Sequence, residues 1–266
     1  MIPREGCSNW NSIMLKLSEN HPRFLSLFTR EKLVKASLSK IVVPQGLIAH
    51  GRGEAFDYIL GERTSSVALN AITTAAAFIL DARRPVLSVN GNSVALVGKE
   101  IVDLSHNIPA PIEVNLFHST PRRRMLIAQQ LRKLGAKNIL GIGPVPMVRI
   151  PGISSSRGRS DPEGIANADV VFVPLEDGDR AEALTKIGKI VIAIDLNPLS
   201  RTSKVASITI VDNIIRAIPA LTKAIGDLKR SDRSEINRLK KNFDNQENLT
   251  ESVRQITSYL NGWMHN

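Results

Sequence analysis

The chain of 266 residues has a single cysteine, Cys7. One thiol excludes an internal disulfide and any cysteine-rich metal site, and it suits a reducing, cytoplasmic setting. Aromatic residues make up only 4% of the sequence, so nucleic-acid bases would find few stacking platforms. No apolar run is long enough to span a bilayer. The most apolar helix candidate, Val67 to Leu80, is too short and contains Asn70, Thr73 and Thr74. Residues 1–20 hold Glu5, Asn9, Asn11 and Glu19 and no long apolar core, so no secretory signal is expected there. There is no Gly-x4-Gly-Lys-Ser/Thr, which excludes a Walker A loop. No Gly-x-Gly-x-x-Gly follows a strand, which counts against a dinucleotide fingerprint. No convincing serine or cysteine triad is present.

What is there begins with size and charge. The apolar fraction of 42% over this length supports a full core, as one large domain or two small ones. Net charge is +10, with basic residues scattered and one local run at Arg122–Arg124. A basic surface can bind nucleic acid through phosphates. Scatter without interleaved aromatics fits better with a pocket for small anions, or with plain solvated charge.

Short β-branched runs alternate with segments of helical period. Strands are expected at Val86–Val89, Ile112–Leu116, Asn138–Gly141, Val170–Val173, Lys189–Asp195 and Ser207–Val211. Helices are expected at Arg23–Leu38, Ser66–Ala82, Ser93–Leu104, Pro121–Leu134, Arg180–Ile187 and Ile214–Leu228. This alternation predicts an α/β fold, a mostly parallel sheet with helices on both faces. Residues 1–20 read as an N-terminal extension, 21–228 as the catalytic domain, and 229–266 as a helical tail packed on the domain or on a dimer partner. Gly152–Gly164 reads as a long loop, a length usually functional or mobile.

Several residues are suited to chemistry. Gly46–Tyr58 reads as a glycine-rich loop that sets His50, Arg52 and Glu54 between glycines. Gly51 and Gly53 would let Arg52 and nearby amides approach phosphate oxygens. His50 reads as a general base or phosphate donor, with a structural role as the plainer alternative. In open α/β sheets ligands bind beyond the carboxyl ends of strands. Asn90–Asn92, Glu176–Asp179, Asp195–Asn197 and Asn213 all fall at such ends. Glu176 and Asp177 could hold Mg²⁺ beside polyphosphate, whereas Asp179 and Glu182 read as a helix cap. Arg201 and Thr202, in a loop over Pro198–Lys204, could meet phosphate. Arg149, Arg157 and Arg159 border the long loop and could close over an anion. Arg122–Arg124 read as a solvated helix start.

The 170–214 segment runs from Val170-Val-Phe-Val-Pro-Leu-Glu-Asp-Gly-Asp through Ile194-Asp-Leu-Asn-Pro and Leu199-Ser-Arg-Thr to Val211-Asp-Asn-Ile. Further stretches of the same kind are Gly46–Tyr58, His21-Pro-Arg-Phe, Thr29-Arg-Glu-Lys, Ser88-Val-Asn-Gly-Asn, Glu113-Val-Asn-Leu-Phe and Arg149-Ile-Pro-Gly. Taken together, the sequence resembles the archaeal phosphopantothenate synthetases, or 4-phosphopantoate–β-alanine ligases. The resemblance spans about His21 to Pro219. It implies a dimeric enzyme with a Rossmann-like fold that joins 4-phosphopantoate to β-alanine in coenzyme A biosynthesis. It further implies ATP with Mg²⁺, release of AMP and diphosphate, and an acyl-adenylate intermediate. The ATP-contacting positions it implies are Arg30, Arg52, Asp195, Leu196, Asn197, Arg201, Thr202, Asn213 and Ile214. Residues before His21 depart from the pattern, and Met14 is a candidate true start. Two other readings stay open at this point: a nucleotide-dependent enzyme of another kind on the same fold, such as an NAD(P)-dependent oxidoreductase, and a basic nucleic-acid-binding protein.

Overall fold

The computed structural model describes residues 20, 23–143 and 147–264. Cys7, Met14, His21 and most of the N-terminal extension lie outside the described residues.

Each apolar run becomes a parallel strand because both of its faces are covered. β1 (Pro85–Val89), β2 (Ile112–Val114), β3 (Ile139–Leu140), β6 (Val170–Pro174), β7 (Ile190–Ile194) and β8 (Ile208–Ile210) form one sheet in the order β3-β2-β1-β6-β7-β8. All five pairings are parallel. The period of two is explicit in β6. Val170 and Phe172 enter one core while Val171 and Val173 enter the other. This is a Rossmann-like α/β architecture, with strand order reversing between β1 and β6. Between β3 and β6 lies a small hairpin of β4 (Val148–Arg149) and β5 (Arg159–Ser160).

The larger core lies under α1 (Phe24–Leu38), α3 (Ser66–Asp81), α4 (Gly91–Asn107), α5 (Pro121–Lys133) and α8 (Ile214–Leu228). The smaller core packs α6 (Gly178–Lys186) and the 150–168 segment on the opposite face. The tail forms α9 (Arg233–Lys241) and α10 (Asn245–Met264), which fold back on the same chain. Asn245 fixes the return: its Nδ2 donates to the Ser203 and Ala206 carbonyls at 2.9 and 3.0 Å.

Three local expectations fail. Gly46–Tyr58 is no loop but most of a helix, α2 (Pro44–Ile59). Pro44 takes the first helical turn, where its missing N–H costs nothing. None of Gly46, Gly51 and Gly53 has positive φ. Gly46 serves packing instead, because a Cβ there would overlap Asn92 Oδ1. The Pro198–Lys204 loop contains a short helix, α7 (Arg201–Val205), started by Ser200 accepting the Ser203 N–H. The expected cap at Asp179 is also absent. Asp177 occupies the N-cap position of α6 without a side-chain cap bond, and Asp179 sits inside the first turn. The long Gly152–Gly164 loop is partly structured by β5 and a 3-10 turn at Ser156–Gly158.

Candidate active site

A cavity of about 370 Å³ opens at the carboxyl edge of the sheet, across the switch point between β1 and β6. Its floor comes from residues that follow four strands: Asn90 to Asn92 after β1, Leu175 and Asp177 after β6, Leu196 after β7, and Asn213 with Ile214 after β8. One face of α2 closes it, through Val43, Gly46, His50, Gly53 and Glu54, at the three-to-four spacing of a helix. Leu175 adopts φ of 59°, a conformation rare for a leucine. Its carbonyl accepts from Asn90 Nδ2 at 2.8 Å, which ties the two strands at the switch point.

His50 is the most reactive-looking group. Its Nε2 is buried and has no hydrogen-bond partner. Burial lowers its pKa below the usual histidine value, more strongly than nearby Glu54 raises it. At neutral pH the ring is therefore a neutral imidazole with one nitrogen uncommitted. Glu54, one turn on, accepts from Arg30 Nε at 2.9 Å and from the Ser26 hydroxyl. These bonds hold the Glu54 carboxyl below its ordinary range despite burial.

The positive wall is built from two arginines. Arg123 donates from Nε and Nη2 to the Ile41 carbonyl at 3.1 and 2.9 Å, and from Nη1 to the His118 carbonyl at 2.8 Å. Arg157 and Arg180 share the buried carboxylate of Glu176. Arg157 also reaches Asp177 at 2.8 Å. Arg180 is fully buried, which pushes its pKa down to about 10, so it stays charged. Behind it Glu113 accepts the Ile165 and Asp161 amides at 2.7 and 3.2 Å. Burial pushes Glu113 up to about 7 against those bonds and the attraction of Arg180.

The structure brings some sequence-derived candidates to this cavity and leaves others at its margin. His50, Glu54, Leu196, Asn213 and Ile214 line it. Arg30 joins through Glu54. Arg52 is exposed and lines no wall of it, but its charge is felt by Asp195. Asp195 ends β7 with its carboxylate folded into a turn, accepting the Asn197 N–H at 2.9 Å and the Ser200 hydroxyl at 2.5 Å. Asn197 caps the Leu199 N–H in the same way. Thr202 is buried and donates to the Glu176 carbonyl. Arg201 is exposed and paired with Asp179 and Glu182. Asn213 caps α8 and donates from Nδ2 to Asp57 at 2.7 Å.

Two sequence readings are overturned here. Glu176 does not fit a Mg²⁺ seat, because it is 4% exposed and bracketed by two guanidiniums, whereas Asp177 pairs with Arg157 and keeps its carboxylate at the cavity, 53% exposed. Arg122–Arg124 is not a uniformly solvated helix start. Arg122 is exposed, but Arg123 is drawn in by the Ile41 carbonyl 82 residues away. Both Arg123 and Asn92 line the cavity; Asn92 belongs to the strand-end group expected from sequence, whereas Arg123 is expected there only in a solvated helix start. The one available signal was Asn90-Gly91-Asn92 itself: Gly91 admits the Ile41 carbonyl, which any Cβ at that position would overlap.

Comparison with known proteins gives this geometry its relatives. The family model for phosphopantothenate/pantothenate synthetase matches residues 67–259. The 4-phosphopantoate–β-alanine ligase of Thermococcus onnurineus (strain NA1) is 48% identical over 248 residues, covering 93% of this chain and 94% of that one. Those of Thermococcus kodakarensis and Methanosarcina mazei are each 46% identical, over 93% of this chain and 94% and 96% of theirs. The chain belongs to the phosphopantothenate/pantothenate synthetase family.

Proposed function

We propose that this protein condenses 4-phosphopantoate with β-alanine to 4'-phosphopantothenate, a step of coenzyme A biosynthesis, using ATP and releasing AMP and diphosphate. The observation that carries this reading is the near-full-length match to proteins named for that ligation. The cavity is chemically consistent with it. Among the described residues no serine, threonine, cysteine or lysine lines it, and the reaction proposed here, which passes directly between substrates, needs no nucleophile from the protein.

In the first step the carboxylate of 4-phosphopantoate attacks the α-phosphorus of ATP, and diphosphate leaves. In the second the β-alanine amine attacks the carbonyl of the mixed anhydride, and AMP leaves with the oxygen that bridged carbon and phosphorus. Anion meets anion in the first step, so cationic walls must offset charge that shifts onto diphosphate. The amine must shed a proton in the second. The neutral His50 ring, with Nε2 uncommitted, is suited to take it. Holding three reactants in one cavity supplies much of the rate.

The nucleotide is assigned to the β7–β8 side, where Asp195 to Asn197, Arg201, Thr202, Asn213 and Ile214 cluster, with Arg52 and Arg30 approaching from the helical side. Mg²⁺ is assigned to the phosphates of ATP rather than to Glu176. We also assign a homodimer, supported by the apolar end of α10. Product analysis tests the reaction. With all three substrates, AMP and diphosphate should form in step with the amide. ADP and inorganic phosphate without AMP would replace the adenylate by an acyl phosphate, and no amide would end the assignment.

A further inference from the structure

One end of the cavity carries positive charge that its own acids do not neutralise. Three acids line the cavity, and each is committed: Glu54 to Arg30, Asp177 to Arg157 and Asp212 to Arg216. Arg123 has no such partner. Among the described residues its hydrogen bonds go only to carbonyl oxygens. Burial lowers its pKa and no neighbouring acid raises it.

Arg157 lines the same end and is only 6% exposed, with Nε unpartnered. It divides Glu176 with Arg180, whose Nε and Nη2 are also buried without partners. Two buried guanidiniums thus share one buried carboxylate. Arg123 and Arg157 are close enough for the charge of the first to depress the second further. Like charges drawn to one cavity wall are stabilised by an anion between them. The third element is α4, a helix of 17 residues whose first amides begin at Gly91 in the same wall. A Cβ at Gly91 would lie 2.8 Å from Arg123 Nη2, so the guanidinium sits directly on that helix start.

The chemistry that fits is a doubly charged phosphate monoester, bound by guanidinium forks and helix amides. Given the function proposed above, on which this step rests, two substrates carry phosphate. The positions assigned to the nucleotide gather on the β7–β8 side. Arg123 and Gly91 lie on the β1–β2 side of the switch point, and Arg157 reaches toward them from the 3-10 turn while pairing with Glu176 and Asp177 after β6. The family name itself spans a phosphorylated and an unphosphorylated product, and a dedicated phosphate clamp is what would separate them. We infer that Arg123 and Arg157, at the N-terminus of α4, clamp the phosphate of 4-phosphopantoate and set its preference over pantoate.

The test compares full-length wild type with Arg123→Met, which keeps the packed stem, and Arg123→Lys, which keeps the charge but not the fork. KM is measured for each of the three substrates, and kcat/KM for pantoate. Loss of charge-assisted bonds should raise KM for 4-phosphopantoate about tenfold or more in Arg123→Met. KM for ATP and β-alanine should stay unchanged, and the preference for 4-phosphopantoate over pantoate should fall by the same factor. Arg123→Lys should recover part of it. A rise in KM for ATP instead would give the clamp to the nucleotide and overturn the inference. So would an unchanged preference, or a lowered melting temperature with all KM values intact. If wild type formed no amide, the function reading would fail separately. Calorimetric titration of wild type and Arg123→Met with 4-phosphopantoate alone would still decide the clamp, with equal affinities overturning it.

Discussion

At the scale of the residue, burial decides which charges can work. Glu113 is the clearest case, a carboxyl held inside the sheet by two amides and pushed up to about 7. Its ordinary value is 4.5. Between pH 4.5 and about 7 the folded state keeps a proton that the unfolded chain releases, so stability falls as pH rises through that window. The full difference is about 3 kcal/mol at one unit per 1.4 kcal/mol. We expect the urea midpoint of wild type to drop from pH 5 to 8 more steeply than that of Glu113→Gln. Asp195 and Asp212, also raised by burial, act in the same direction in both proteins, and His50, lowered by burial, acts in the opposite one, so the comparison rests on the difference between the two slopes. Parallel slopes would show that Glu113 titrates normally. None of this was legible in the sequence. Glu113 reads as one polar residue in a β-branched run, and the amides that hold it come from residues 48 and 52 positions away. Arg123 was misread for the same reason, since its partner carbonyl belongs to the turn before α2. Asp195 and Asn213 were legible as strand-end residues, but their turn and cap roles coexist with any ligand role and cannot be separated by position alone.

At the scale of the element, the six sheet strands and the helices on both faces follow from patterning, because strands buried on two sides leave continuous apolar runs. α2 escaped because three glycines within eight residues suggest a turn, each costing about 1 kcal/mol in a helix interior. Tertiary contact overrides that cost: Gly46 lets α2 meet Asn92, whose Nδ2 donates to the Gly46 carbonyl at 2.7 Å. Its inward face, not a loop, presents His50 and Glu54, and Arg52 is left outward. α10 raises a different question. Leu249 is buried against the domain, yet Tyr259, Leu260, Trp263 and Met264 are exposed at its far end, Trp263 by 73%. Such a cluster on one helix end suits a two-fold contact with a second copy. Light scattering of the full chain should read twice the protomer mass, and Trp263→Glu should read one protomer with an unchanged circular-dichroism spectrum. A wild-type monomer, or a variant that stays dimeric, would place the contact elsewhere or remove it.

At the scale of the whole molecule, the sheet reverses its strand order at β1 and β6, and the cavity, its strained Leu175 and its arginine wall all sit at that reversal. Among the described residues no helix is long and apolar enough to cross a membrane. Within the scattered net charge of +10, Arg123 and Arg157 are the two basic residues that line the cavity among the described residues, histidines aside. The central claim is that the acid substrate is activated as an acyl-adenylate and then captured by the amine. The direct measurement uses 4-phosphopantoate labelled with ¹⁸O in its carboxylate, with ATP and β-alanine, and mass spectrometry of the products. The account predicts one labelled oxygen in the phosphate of AMP for each amide formed. Label found in inorganic phosphate, or AMP without label, would contradict it.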